Sequence, residues 1–378
     1  MKVFSKPENQ FGRYIKPTSD GGMLLFQNDE NEPGYAWTLV VKKTNAFGEV
    51  QWEDVYAGDM LKGTFTPLEN GNTLFSSEDK QGNLLLFDSE GKLVFKNQYS
   101  KDQKYLYSQA IEIDNSIAYK GCYLVSKCNG VYGGIDNYIF KMKPNGTFLN
   151  VITLQNDVEI KGKVLNFKPY AFVDHNTYYI FGQHLPKPNW TWNDCEQTFV
   201  TKIEYDTKLR STRTVTLDPQ NVNFYCDGYS SGKHLTYPDN GVLLAINQYY
   251  WANGNNRAHF FRVDKDLNLL WEKDLLLANA KGCKVNSMVR CSDGSLLFSG
   301  WIVLKNQKIT QPFICKTDEQ INVLWQRVFN SGLGGAANHA AELLDGSIAV
   351  TGETISFSEG VGFNDVFLYK TDRYGGIN

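Results

Sequence analysis

The chain lacks long apolar runs, blocks of like charge and closely spaced metal-ligand motifs, and each absence removes a class of function. No segment approaches the roughly 18 to 20 consecutive apolar residues that a membrane-spanning helix needs. The opening residues, Met1-Lys2-Val3-Phe4-Ser5-Lys6-Pro7, hold no apolar stretch of the kind that marks a secretory signal. No run of five like charges occurs and the formal net charge is −3. The concentrated Lys and Arg that a phosphate backbone demands are therefore missing, and nucleic acid is not an expected partner. The 7 cysteines form no C-x-x-C pair and are odd in number, which argues against a zinc knuckle and against a dense disulfide framework. They read as small buried hydrophobes in a reducing compartment, so a cytoplasmic location is favoured, with export or the cell surface the alternative if the sequence is a processed piece. The five histidines, His175, His184, His234, His259 and His339, show no H-x-x-H or H-E-x-x-H spacing. No nucleophile elbow, phosphate loop or dinucleotide fingerprint is present either, and no metal or cofactor is expected.

What the chain does have is aromatic residues, 14% of the total, with Tyr 21 and Phe 23 outnumbering Trp 8. Together with the scarcity of amphipathic Ala/Glu/Lys stretches, this bias favours strands over helices. A repeat then sets the architecture. Near the end, Asp345-Gly346-Ser347 leads into Ile348-Ala349-Val350-Thr351-Gly352, and Val366-Phe367-Leu368-Tyr369-Lys370-Thr371-Asp372 follows. One unit earlier, Ser292-Asp293-Gly294-Ser295 leads into Leu296-Leu297-Phe298-Ser299-Gly300, then Phe313-Ile314-Cys315-Lys316-Thr317-Asp318, then Val323-Leu324-Trp325-Gln326-Arg327. Asp-Gly between two apolar runs is a hairpin turn. The apolar run after it is a strand buried on both faces, and the alternating Leu-Trp-Gln-Arg run is a half-exposed outer strand.

The first turn recurs at Asp20, Asn70, Asp114, Asp174, Asp239, Asp293 and Asp345, with spacings from 44 residues (Asn70 to Asp114) to 65 (Asp174 to Asp239). The second recurs near Asn45, Asp88, Lys143, Asp206, Asp264, Asp318 and Asp372. A four-stranded meander of this size cannot bury its own faces, so copies must stack. The expected fold is an all-β, seven-bladed β-propeller of four-stranded antiparallel blades. Its blades fall at approximately 11–57, 58–102, 103–156, 157–219, 220–278, 279–331 and 332–378 plus 1–8. The last unit stops after its third strand, while Lys2-Val3-Phe4-Ser5-Lys6 matches the outer-strand run Lys92-Leu93-Val94-Phe95-Lys96. The N-terminal strand is therefore expected to join the C-terminal blade and close the ring, removing the exposed edges.

The pattern Asp20-Gly21-Gly22-Met23-Leu24-Leu25, Lys43-Thr44-Asn45 and Gly48-Glu49-Val50-Gln51-Trp52 resembles the degenerate propeller repeats of uncharacterised bacterial proteins. Gly91-Lys92-Leu93-Val94-Phe95 gives a looser similarity to quinoprotein and outer-membrane-assembly propellers. The resemblance implies a fold and little else. Quinoprotein dehydrogenases differ in carrying an adjacent cysteine pair, which this chain lacks.

Loops joining second to third strands should share one face with the connections between blades. Two of these read as long: Gln183 to Asp194 in the fourth blade and Asn247 to Arg257 in the fifth. The connection from Asn223 to Gly232 should reach the same face. Trp190, Trp192 and Trp251, with Tyr225, Tyr229, Tyr249, Tyr250 and Arg257, form the candidate ligand-binding set, since aromatic faces beside amides and charges suit a sugar ring or a peptide. The same aromatics could instead pack on one another or line a subunit contact. The leading functional expectation is a non-enzymatic module recognising a glycan or a protein. The alternatives are a hydrolase or lyase at the channel mouth, with His184, Asp194, Asp227 and His234 as candidates, and a structural subunit of a larger assembly. His234 and His339 are expected near the starts of innermost strands. Asp29, Glu30 and Glu32 read as a solvated turn.

Overall fold

The structure is a computed structural model of the 378-residue chain. It describes residues 2–4, 8–32, 36–56, 63–68, 70–77, 83–98, 105–113, 122–129, 136–142, 148–153, 165–174, 177–184, 197–205, 209–217, 225–226, 233–250, 255–330, 333–355 and 364–376. Strand β1 (Lys2–Phe4) precedes a first meander of β2 (Gln10–Pro17), β3 (Met23–Glu32), β4 (Ala36–Thr44) and β5 (Val50–Tyr56). The second comprises β6 (Gly63–Pro67), β7 (Thr73–Ser77), β8 (Asn83–Phe87) and β9 (Leu93–Gln98). Then come β10 (Tyr105–Ile113), β11 (Cys122–Asn129), β12 (Asp136–Met142) and β13 (Phe148–Thr153), followed by β14 (Leu165–Asp174), β15 (Thr177–His184), β16 (Gln197–Tyr205) and β17 (Leu209–Leu217). Next are β18 (Tyr225–Cys226), β19 (Lys233–Thr236), β20 (Val242–Tyr250), β21 (Asn255–Val263) and β22 (Leu269–Asp274). The chain continues through β23 (Ala280–Arg290), β24 (Leu296–Leu304), β25 (Thr310–Thr317) and β26 (Val323–Val328), and ends with β27 (Gly335–Glu342), β28 (Ile348–Thr354) and β29 (Asp365–Thr371).

Each group pairs as an antiparallel sheet in sequence order, and β1 joins the last as its outer strand, giving the order β1-β29-β28-β27. The register is Lys2 opposite Leu368, Val3 opposite Phe367 and Phe4 opposite Val366. The protein is thus an all-β propeller of four-stranded antiparallel blades. Five blades are described down to their side chains, whereas the repeat count gives seven. The β10–β13 and β14–β17 sheets are described mainly by strand order and register. In the β18–β22 blade the expected single inner strand is instead two short segments, with β18 and β19 both pairing to β20.

Apolar cores lie between blades, as the sequence pattern demands. All five residues of β7 and of β8 are buried, whereas the outer strand β5 is mostly exposed. Tyr14 and Phe26 of the first blade pack with Phe65, Phe75 and Phe87 of the second. Leu243 and Phe260 meet Val285, Phe298 and Phe313. Leu297 and Ile314 meet Val350 and Phe367, and Ile15 and Met23 meet Ala349, Leu368 and Phe4. Burying a side chain of this size contributes ~1.5–3 kcal/mol relative to exposure, so the blade-to-blade seams carry most of the stability. Innermost strands touch across neighbours, β27 lying against both β23 and β2, and β10 against both β6 and β14. Cys283, Cys291 and Cys315 are free and buried, as expected of small hydrophobes, and burial pushes the Cys283 and Cys291 thiols up to about 11.

The turn motifs have a direct physical reading. In Cys291–Ser295 the Gly294 amide donates to the Cys291 carbonyl at 3.0 Å, and Gly294 takes φ +83°, which a side chain would resist. The turn aspartate then reaches the basic residue one position before the end of the third strand. Lys43 meets Asp20 at 2.5 Å, Arg262 meets Asp239 at 2.6 Å, Lys316 meets Asp293 at 2.7 Å and Lys370 meets Asp345 at 3.2 Å. The aspartate of Lys-Thr-Asp caps the next turn, Asp318 Oδ1 accepting from the Gln320 and Asn322 amides at 2.9 and 2.8 Å.

Candidate functional site

The sequence-predicted aromatic site falls largely outside the described residues. Trp190, Trp192, Asp194, Asp227, Tyr229 and Trp251 lie there entirely. His184, Tyr225, Tyr249 and Tyr250 are placed only as strand positions. The expected long loop of the fifth blade is corrected: β20 runs on to Tyr250 and β21 begins at Asn255, so Asn247–Tyr250 and Arg257 belong to an extended hairpin. The β-prone Tyr-Tyr pair prolongs the strand where its polar neighbours suggested a loop. Likewise, Gln183 and His184 end β15. The pairing of β18 with β20 sets Tyr225 directly opposite Tyr249, and the hairpin register sets Arg257 opposite Gln248. Arg257 is exposed and its Nη1 donates to Asp274 Oδ2 at 3.0 Å. His234, half-buried on β19, sits opposite Leu244. His339 packs its ring 4.3 Å from that of Tyr14, and its Nδ1 accepts from the Ile15 amide at 3.4 Å.

A second set of polar groups, unmarked by any sequence motif, gathers at the end of the ring where second strands finish and third strands begin. Its origin is a bulge repeated in the inner strands. The β2/β3 register skips Arg13, the β23/β24 register skips Asn286, and the β27/β28 register skips Asn338. A bulge leaves one residue unpaired and re-aims its side chain. It also frees a ladder carbonyl, which must find another donor. Asparagines of the preceding blade supply them. Asn247 Nδ2 donates to Val285 O at 2.8 Å, Asn286 Nδ2 to Ala337 O at 3.3 Å, and Asn338 Nδ2 to Gly12 O at 2.8 Å. Asn247 Oδ1 also accepts the Val285 amide at 2.8 Å. Two of the three bulges, at Asn286 and Asn338, have a glycine across the ladder. A Cβ on Gly300 would stand 1.8 Å from Lys284 O, and one on Gly352 1.9 Å from Ala336 O.

Glu353, at the end of β28, is the acidic centre of this set. Asn338 Nδ2 donates to its Oε2, while Asn286 Nδ2 donates to Asn338 Oδ1 at 3.2 Å. Arg13 lies close enough to favour the ionised form, and its Nε donates to Asn28 Oδ1 at 2.8 Å. Desolvation outweighs both, and pushes Glu353 up to about 7. Arg13, Asn286, Asn338 and Glu353 are all half-buried, so the cluster keeps contact with solvent. It can exchange a proton near neutral pH and can offer amide, carboxyl and guanidinium groups to a polar ligand. No group of three or more His, Cys, Asp or Glu residues is arranged to hold a metal among the described residues.

Asp29 and Glu30 correct the solvated-turn reading. Both lie within β3 and are buried, with only 4% and 7% of their surface exposed.

No protein-family model and no curated protein matches the chain. Solved structures resemble it in shape. The α-L-arabinofuranosidase Arb93A of Fusarium graminearum, solved with an iminosugar inhibitor, is 10% identical, with a TM-score of 0.53 over 82% of this chain and 92% of that one. The β-propeller domain of the trilobed protease of Pyrococcus furiosus, described as an open-velcro topology, is 8% identical, with a TM-score of 0.50 over 98% and 97%. A DUF4221 protein of Bacteroides vulgatus is 9% identical, with a TM-score of 0.48 over 98% of each chain. At these identities the likeness is one of fold. Among the described residues no helix is long and apolar enough to cross a membrane.

Proposed function

We propose that this chain is a recognition propeller that takes a glycan or a protein segment on the face carrying Glu353, and that its sheets close as one ring of seven blades. The carrying observation is the convergence of Arg13, Asn286, Asn338 and Glu353 from three successive blades onto one solvent-reaching cluster. Such groups fix the hydroxyls or peptide groups of a ligand, while aromatic faces supply contact area. Trp190, Trp192, Tyr225, Tyr229, Tyr249, Tyr250 and Trp251 would add those faces, because the β15–β16 and β20–β21 connections open on the same end of the ring as Glu353. The test is a glycan array and a peptide pull-down with two variants, Glu353→Gln and the triple Trp190→Ala/Trp192→Ala/Trp251→Ala. Loss of a bound ligand in both is expected. A ligand retained by both sinks the reading, and an experimental structure with six or eight blades sinks the ring.

One observation favours a second reading, a hydrolase or lyase at the channel mouth. A carboxyl near pH 7 is suited to donate a proton to a leaving group. Glu353 would be the acid, and His184, Asp194, Asp227 and His234 remain the candidates for its partner. Turnover on a panel of oligosaccharides, abolished by Glu353→Gln, would replace recognition with catalysis. A panel without turnover removes this reading.

A further inference from the structure

The position that Glu353 occupies recurs around the ring, and one blade fills it with an indole. The residue opening the second strand pairs with the one closing the third: Val242 with Val263, Leu296 with Thr317, Ile348 with Thr371 and Met23 with Thr44. The fifth residue after each opening one is Asn247, Trp301, Glu353 and Asn28 respectively. The three polar members are hydrogen-bonded: Asn247 to the Val285 backbone, Glu353 to Asn338 and Asn28 to Arg13. Blade packing therefore does not demand a large apolar side chain here. Trp301 also belongs to neither of the apolar cores that flank its blade. It is half-buried, and among the described residues it makes no hydrogen bond and no ring contact. Its indole N–H is not among the buried unpaired groups, so it reaches solvent.

The indole faces the last blade. Along β24, Phe298 and Ile302 join the core shared with the fifth blade, while Leu297 joins the core shared with the last, so Ser299 and Trp301 face the last blade too. Ser299 Oγ donates to Ser287 Oγ at 3.1 Å, and that hydroxyl accepts the Ala340 amide of β27 at 3.4 Å. Trp301 pairs with Lys284, and the bulged Asn286 falls within the next two pairs, ~7 Å along the strand. Asn286 reaches across the same seam to Ala337 O and Asn338, and its own Oδ1 takes no hydrogen bond among the described residues. An open donor and an open acceptor thus border a flat apolar ring. The C–H face of a sugar ring carries partial positive charge and fits the electron-rich face of an indole, while its hydroxyls need donors and acceptors together. The Glu353 carboxyl, pushed up to about 7, can serve as either. A peptide backbone has less to hold here, because β24 is paired on both sides and offers no free strand edge. We propose that Trp301 is the stacking platform of the Glu353 site and that its ligand is a saccharide, one ring lying on the indole with hydroxyls turned to Asn286, Asn338 and Glu353. This rests on the reading that the Glu353 face binds the ligand, and it narrows that ligand to a sugar.

The experiment titrates the full chain with soluble oligosaccharides of glucose, mannose, galactose, xylose and galacturonic acid, read by calorimetry and by fluorine NMR of fluorotryptophan-labelled protein. The resonance missing from Trp301→Phe identifies Trp301, and a bound sugar should shift it. Trp301→Ala should weaken that sugar by more than about tenfold, and Trp301→Phe, which keeps a ring, by less. Should the alanine variant not fold, Trp301→Leu, apolar without being aromatic, should fold and bind as poorly. A sugar lost in Glu353→Gln but held unchanged by Trp301→Leu overturns the platform and leaves the Glu353 face standing. A sugar held unchanged by both variants sinks the face as well. A Trp301 resonance unmoved at saturation, a panel from which nothing binds, or a ligand that proves to be a peptide would each overturn the saccharide assignment.

Discussion

Gly352 faces a bulge so closely that its missing side chain is a structural requirement. Gly352→Ala places a Cβ 1.9 Å from Ala336 O. Relieving that overlap should cost on the order of 1–3 kcal/mol or more. Gly294→Ala meets open space but must hold φ +83°, and should cost about 1–2 kcal/mol. Denaturant midpoints will check the order. Glu353 gives a pH signature. Its folded pKa, raised to about 7, lies above the ordinary carboxyl value, so the folded state holds the extra proton between the two. Stability should therefore fall as pH rises from about 4.5 to 7. Glu353→Gln should flatten that slope, as read from Tm measured across the range. A slope unchanged in the variant would assign it to another group.

At the scale of strands and turns, the Asp-Gly and Lys-Thr-Asp motifs were readable because each does one local job repeatedly. One aspartate clamps the third strand's lysine, and the other caps a turn. The clamp carries a prediction of opposite sign. The Lys316 ammonium, with the Ser295 hydroxyl, holds Asp293 down to about 2. Its contribution is complete above the ordinary aspartate pKa of about 3.9 and is lost as pH falls to about 2. Asp293→Asn should remove that acid-side slope, with little change in it at neutral pH; Asp293 is largely exposed, so the effect will be small. The bulges were not readable. Arg13, Asn286 and Asn338 look like ordinary polar residues in alternating strands, and only the register exposes the skipped position. The one written trace is the glycine ending Leu-Leu-Phe-Ser-Gly and Ile-Ala-Val-Thr-Gly, which faces the bulge. Asp29 and Glu30 misled for a related reason: a strand that is polar from Gln27 to Glu32 has no apolar residues to mark it as buried.

For the whole molecule, the propeller class and the pairing of the N-terminal strand with the last blade followed from the repeat, because stacking identical meanders leaves few other ways to bury both faces. The candidate site was less legible, since it is assembled from single residues on three blades far apart in sequence. Removing residues 1–6 should strip the outer strand from β29, expose its edge and uncover Leu368 where Phe4 packs. Lower Tm and concentration-dependent association in light scattering are the expected outcomes. A truncated chain as stable and monodisperse as the parent would show the strand to be dispensable.

The hybrid make-up of that last sheet also bears on biosynthesis. Its outermost strand is made before β2–β28 and that strand's neighbour after them, so a nascent chain must keep Lys2–Phe4 uncommitted while every intervening strand is made. A circular permutant that joins the two ends and opens the chain at the Asp345 turn would place the two strands side by side in synthesis, and should regain its native spectrum faster after dilution from denaturant.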